Sequence, residues 1–273
     1  MDRCSGVNGV AMAEQALFAQ MVTGLTALWW PFCRVMALLS AAPVIGENMV
    51  PVTVRILLSL VMAVILLPVA QPAVAVDPFS IAGMVTTAEQ ALIGLILGLA
   101  FHLVIAAFMV LGYLVSAQMG LAMAIMNDPM NGTSSDVISG LIFILVALVF
   151  FAVDGHLVVA GVAGASFRAW PVGSGIASLT LQAVPHAVAW VFSAALLLAT
   201  PVIFSTLVVQ IGMGLLNRVA PSFNLFSLGF SLVTLLGLLV LAQVVRSVPE
   251  HYVRMSARVL EMIRQLMQAT AHG

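Results

Sequence analysis

The chain has 273 residues, 63% of them hydrophobic and 7% charged, with a formal net charge of −1 at pH 7. A soluble domain carries about 25% charged residues, so this composition excludes a chain that faces water on all sides and predicts a polytopic membrane protein. The 9 basic side chains are all arginine and form no basic face for nucleic acid, and Cys4 and Cys33 supply neither a disulfide framework nor a thiolate metal site.

Residues 1–15 read as a short, loosely ordered N-terminal tail. Asp2, Arg3 and Glu14 precede the first apolar run without a basic n-region or an A-x-A end, so no cleavable signal is expected. Ala16 to Ala42 is that first run, and Pro31 is expected to kink or interrupt it. Arg34 lies near its middle, where a cation needs a carboxylate, backbone carbonyls or a watery cavity. Its role is a structural partnership or, alternatively, ion conduction. Pro43 to Pro51 is a linker turning at Gly46-Glu47-Asn48. Val52 to Leu67 is a second run, somewhat short of the roughly twenty residues that a span needs. Gln71 to Ser80 is a proline-spaced connector.

Thr86 to Asn127 continues for about twice one hydrocarbon thickness at ~1.5 Å per residue. It is a hairpin, a broken helix or a projecting rod, with Gly112 the first candidate hinge and Gly120 the second. Gly94-x-x-x-Gly98 offers a close helix–helix contact, although the motif is common by chance. Met119, Met123 and Met126 follow at spacings of four and three, which on a helix is one face. Asp128-Pro129 is expected to stop that helix, and residues 130–135 read as a flexible loop. Methionine is soft and unbranched, so this cluster is either a deformable plug in a membrane pore or an ordinary packing face.

Val137 to Trp170 carries Asp154-Gly155-His156 near its middle. Asp154 and His156 point to different sides of a continuous helix, and a break at Gly155 would let both face one polar junction. A structural turn and a proton relay both fit. Pro171 to Ser178 is a linker, and Leu179 to Asn217 is a second overlong run interrupted by Pro185 and Pro201. Arg218, Ala220-Pro221 and Asn224 mark its end. Leu225 to Val245 is a last span of suitable length. Residues 246–273 read as a C-terminal tail, where Arg246, Arg254, Arg258 and Arg264 outnumber Glu250 and Glu261 and predict a cytoplasmic end. Val253, Ala257, Leu260, Met262, Ile263 and Met267 give that tail a partly amphipathic helix, suited to the membrane or to a partner.

No catalytic triad, paired carboxylates, metal cluster or phosphate loop emerges, so neither an enzyme nor a cofactor is expected. Two classes remain: a structural and gating subunit of a larger membrane channel, and a self-contained secondary transporter. Transporters usually carry internal repeats around a polar midplane site. Here the runs are unequal and the polar groups scattered, which favours the subunit.

Several segments together resemble the flagellar biosynthetic protein FliR family. They are Trp30-Pro31-Phe32-Cys33-Arg34-Val35-Met36-Ala37-Leu38, Ala42-Pro43-Val44, Val50-Pro51, Ile93-Gly94-Leu95-Ile96-Leu97-Gly98 and Gln118-Met119-Gly120-Leu121. Asp128-Pro129, Asp154-Gly155-His156-Leu157 and Gly214-Leu215-Leu216-Asn217-Arg218-Val219-Ala220-Pro221 with Asn224 and Phe226 continue the series in order. The homologous injectisome subunit SctT is the close alternative. The resemblance implies an all-α membrane protein of long, broken helices and helical hairpins, one integral domain over residues 1–273. It would be part of the type III export gate in the bacterial inner membrane at the flagellar basal body. It implies FliP, FliQ and FlhB as partners, unfolded flagellar proteins as cargo, and lipid around the helices. It also implies a plug formed by Met119, Met123, Met126, Asp128, Pro129 and Met130, with Met123 and Met126 where phenylalanine is frequent. Arg34, Asp154, Gly155, His156, Arg218 and Asn224 would be its buried polar or structural residues. Val52-Thr53 departs from the family's basic residues, and Asp136 from its apolar or proline position.

Overall fold

The computed structural model describes residues 3–47, 50–70, 77–121, 125–128, 133–173, 183–219 and 225–271. Their elements run α1 (Arg3–Ala41), α2 (Val52–Leu66), α3 (Ile81–Gln118), β1 (Ile125–Asp128), β2 (Thr133–Asp136), α4 (Val137–Ala152), α5 (Gly155–Ala169), α6 (Ala183–Val219) and α7 (Leu225–Ala271). Four helices are long and apolar enough to cross a membrane, or up to five spans if the bent pair α4–α5 counts as one. Such a chain must satisfy its backbone polar groups internally, and helices do so segment by segment. The protein is an all-α polytopic membrane protein. Its one two-stranded hairpin among the described residues is antiparallel, pairing Ile125 with Asp136 and Asp128 with Thr133.

Several expected boundaries move. Helix α1 begins at Arg3, so residues 3–15 are helical, and it runs through Pro31 to Ala41. Helix α7 likewise continues through Arg246 and Pro249, so no separate tail begins at residue 246. A buried or lipid-facing helix tolerates an internal proline where neighbouring groups satisfy the freed carbonyl. Helix α3 is one unbroken rod of 38 residues, about 57 Å at ~1.5 Å per residue, and passes straight through Gly112. The break predicted near Gly155 does occur: α4 and α5 meet at a 65° bend. Its pivot is Asp154, with φ 55°, a left-handed conformation that aspartate adopts more readily than most residues.

The chain divides into two compact units. The first comprises Met1–Leu99, Val159–Leu179 and Gln265–Gly273. Here Gly94 and Gly98 of α3 both face α1. A Cβ on Gly94 would press on the backbone of Arg34 and Leu38, and one on Gly98 would stand 2.7 Å from the Cβ of Ala41. The small-residue motif is therefore a real helix contact. The indole of Trp29 donates to the Thr87 hydroxyl at 3.1 Å beside it. The turn between α1 and α2 is held by Arg55, whose guanidinium donates to the carbonyls of Val50 at 3.0 Å and Glu47 at 3.3 Å.

The second unit comprises Ala100–Val158 and Thr180–Arg264. Gly112 lets α3 approach α4: a Cβ there would meet Ser139 Cα at 2.7 Å. The Ser139 hydroxyl donates across that contact to the Met109 carbonyl at 3.3 Å. Phe108 and Tyr252 bring α3 against α7, with ring centroids 6.4 Å apart.

Candidate functional site

Three groups of polar or methionine side chains were singled out by the sequence, and the fold treats each differently. The methionine group lies in the second unit. Helix α3 ends at Gln118, ahead of the expected stop at Asp128-Pro129. Met119 follows in the closing turn, and Met126 lies in strand β1, so helical spacing does not place Met119 and Met126 on one face. Asp128 closes β1. Residues 133–136, expected as flexible loop and its exit, form β2. Met123, Pro129 and Met130 lie outside the described residues.

Met119 itself is fully buried. It occupies the space left by Gly237 of α7, where a Cβ would stand 2.6 Å from Met119 Cγ and 2.9 Å from its Sδ. The Thr234 hydroxyl, one helical turn earlier, donates to the Met119 carbonyl at 3.3 Å. The Gln210 amide of α6 reaches the Gln118 carbonyl at 3.4 Å. These bonds satisfy carbonyls that a helix end otherwise leaves without partners. Gly120 then turns the chain with φ 74°, and a Cβ there would come within 3.0 Å of the Phe230 ring. The end of α3 is thus clasped by α6 and α7. A thioether wedged against a glycine closes the gap, and it can re-pack because it has several soft torsions.

Beyond the hairpin, Asp136 caps α4. Its carboxylate accepts the Ser139 N–H at 3.0 Å. Burial pushes this carboxyl up, but the hydrogen bonding from Ser139 prevails and holds it below the usual carboxylate value. The sequence reading saw Asp136 only as a departure from a family pattern. Asp followed by a long apolar run is, however, a helix-start signal.

The second group surrounds Arg34 in the first unit. Arg34 is fully buried. Its Nε donates to Gln90 Oε1 at 2.8 Å, Nη2 to the Trp170 carbonyl at 2.7 Å and Nη1 to the Ser166 hydroxyl at 3.3 Å. The Phe167 ring lies under the guanidinium, 4.0 Å from Cζ to centroid. One cation so ties α1, α3, α5 and the residue following α5. Backbone carbonyl is among the partners expected; the glutamine, serine and aromatic face are not legible, because they come from distant positions, the glutamine and serine 56 and 132 residues away.

The third group is Asp154-Gly155-His156. Asp154 is exposed at the bend, whereas His156 is half-buried with its ring 5.8 Å from that of Phe151. No hydrogen bond joins the Asp154 and His156 side chains among the described residues. Gly155 opens α5, where a Cβ would collide with Phe150 at 2.5 Å, so glycine is required for close packing there. Arg218 is exposed in the last turn of α6, where a cation complements the helix dipole. Asn224 lies outside the described residues. Among the described residues no group of three His, Cys, Asp or Glu side chains is placed to hold a metal.

Comparison with known proteins adds a family. The profile described as bacterial export proteins, family 1, matches residues 25–259. The chain is 32% identical over 248 residues to the flagellar biosynthetic protein FliR of Pectobacterium carotovorum subsp. carotovorum, covering 90% of this chain and 95% of that protein. It is 31% identical to FliR of Escherichia coli (strain K12), over 84% of this chain and 87% of the relative. It is also 31% identical to FliR of Caulobacter vibrioides, over 86% and 91%.

Proposed function

The chain belongs to the bacterial export proteins, family 1, as a FliR-type subunit of the flagellar type III export gate, and we propose that it contributes both wall and stopper to that gate. The observation that carries this reading is the seat of Met119. A buried thioether closes the end of α3 against Gly237, and the Thr234 hydroxyl and Gln210 amide tie the same turn to α7 and α6. In the plug reading this turn anchors the segment carrying Met123, Met126, Asp128, Pro129 and Met130, which blocks the conduit while no cargo passes. Methionine keeps that seal apolar and lets it deform when an unfolded chain arrives.

The protein is an inner-membrane protein of the flagellar system with several apolar helices. In our reading its C-terminus is cytoplasmic and residues 1–273 work as one integral unit. It assembles with FliP and FliQ, contacts FlhB, and passes unfolded flagellar proteins. Its role is structural: Arg34 is caged, and Asp154 and His156 share no hydrogen bond. The relatives compared are flagellar, which favours the flagellar system over an injectisome.

The test replaces Met119, Met123 and Met126 together with glycine in cells that express the whole gate. Ion leak through the resting inner membrane should rise, while tagged FliP and FliQ still co-purify with the chain. Unchanged leak in an intact assembly would remove the stopper from this account. Failure to co-purify with FliP and FliQ, already in the parent chain, would remove the wall.

A further inference from the structure

A second feature lies away from the methionine seat, between the first turns of the α6 span and the C-terminal half of α7. It is an open groove of about 560 Å³ within the second unit. Trp190, Ser193, Leu197 and Leu198 of α6 line one side, and Arg254 and Arg258 of α7 line the other. The two arginines are four residues apart, so they stand one above the other on a single helix face. The Arg258 guanidinium lies 5.6 Å from the Trp190 ring centroid, and among the described residues no carboxylate pairs with it. Arg254 is engaged by Glu250, but both side chains of that pair are largely exposed. An exposed pair is worth about 0–1 kcal/mol, so it yields readily to a stronger anion.

We infer that this groove binds one anionic phospholipid, with its phosphate between Arg254 and Arg258 and its acyl chain along Leu197 and Leu198. Three observations select this occupant. The groove is amphiphilic in the same sense as a lipid: two guanidinium groups beside a trough that is apolar but for Ser193. Arginine forks match phosphate oxygens, and among the described residues Arg258 pairs with no carboxylate. Leu197, two turns along α6 from Trp190, is 73% exposed, as a surface facing acyl chains should be. Basic pockets between spanning helices are a recognised way of holding anionic headgroups. This inference does not depend on the stopper: it concerns a different face of the second unit.

The experiment uses the full chain extracted in mild detergent, with bound lipid measured by native mass spectrometry after exposure to phosphatidylglycerol or phosphatidylcholine. The parent should retain phosphatidylglycerol in preference to phosphatidylcholine. Each arginine near a membrane surface contributes roughly a fivefold effect, so Arg254→Gln with Arg258→Gln should weaken retention by about twenty- to thirtyfold. Arg264→Gln, whose arginine lies outside the groove, should leave retention unchanged. Equal retention of the two lipids by the parent would overturn the inference, whatever the variant does. So would undiminished retention in the double variant, or equal protection of the parent by inorganic phosphate alone. Exchange of the lipid for an acidic segment of another gate subunit, with no lipid preference remaining, would overturn it in favour of a protein contact. If the double variant does not extract intact, Leu197→Gln decides. It spares both charges and should lower retention of long-chain phosphatidylglycerol more than that of a short-chain form. Equal loss of the two would overturn the inference.

Discussion

Met119 and Gly237 are matched as a bulge and a notch: a Cβ on residue 237 would stand 2.6 Å from Met119 Cγ, and Met119 has no exposed surface into which to retreat. Gly237→Ala should therefore overpack the seat and cost about 1–3 kcal/mol. The signature is in the pair. Gly237→Ala should be markedly less harmful in a Met119→Ala background, because the two changes remove and add volume at one place. Thermal unfolding of the four detergent-solubilised forms measures the coupling. Strict additivity would mean that the close approach has no energetic consequence.

Arg34 is held by Gln90, Ser166 and the Trp170 carbonyl over the Phe167 ring. Arg34→Met removes the charge but strands the Gln90 and Trp170 acceptors, and hydrogen bonds to charged groups are worth about 1.5–3 kcal/mol. Arg34→Lys keeps the charge but cannot reach three partners from one planar fork. Both variants should lower the thermal midpoint and the yield of assembled gate, and lysine should not restore the parent's value. Full recovery with lysine would show that charge alone matters at this position.

Asp136 predicts an acid-sensitive joint at the start of α4. Burial raises its carboxyl, the hydrogen bonding from Ser139 lowers it more, and the folded value falls below the ordinary 3.8. A depressed carboxylate stabilises the fold above its unfolded value, and that contribution is lost as pH falls from about 3.8 through the lower folded value. At neutral pH, Asp136→Ala should cost about 1 kcal/mol, the usual worth of a helix cap. Asp136→Asn should retain most of the cap and flatten the stability profile below about pH 4. Stability against pH for the three forms tests this. A parent profile that tracks Asp136→Asn throughout the acid limb would contradict the assignment.

Which features were legible follows from the range over which each is determined. The helical apolar stretches and the break beside Gly155 are local in sequence and appear in the fold, although the run expected to reach Asn127 ends as a helix at Gln118 and α6 passes through Pro201 without the expected interruption. The helix end after Gln118 lies ahead of the stop that Asp128-Pro129 signals in the sequence. What ends α3 is Gly120, with φ 74°, together with partners on α6 and α7 more than ninety residues away. Gly112 was expected to be a hinge for a related reason. Glycine marks flexibility and close packing with the same letter, and only the presence of Ser139 opposite decides between them. The arginine cage was foreseen as a need and not as a list of residues, since its partners come from α3, α5 and the turn after α5. Pro31 and Pro201, each expected to interrupt its run, sit inside continuous helices, and no local cue in the sequence tells that their freed carbonyls are satisfied by neighbours.

Asp154 separates a backbone role from a proton-carrying one. It pivots the 65° bend with φ 55°, and its side chain is exposed. If the bend is what matters, Asp154→Gly should assemble and export normally, because glycine enters the left-handed region without penalty although the carboxylate is gone. Asp154→Val should do worse, since a β-branched residue in that conformation costs about 1–2 kcal/mol or more. Asp154→Asn should resemble glycine, because asparagine also visits this region. Motility on soft agar gives export, and co-purification of FliP and FliQ gives assembly. Loss of export in Asp154→Gly and Asp154→Asn with assembly intact would assign the carboxylate a part in proton coupling. Normal export in both, with a defect confined to valine, would leave the residue a joint between two helices.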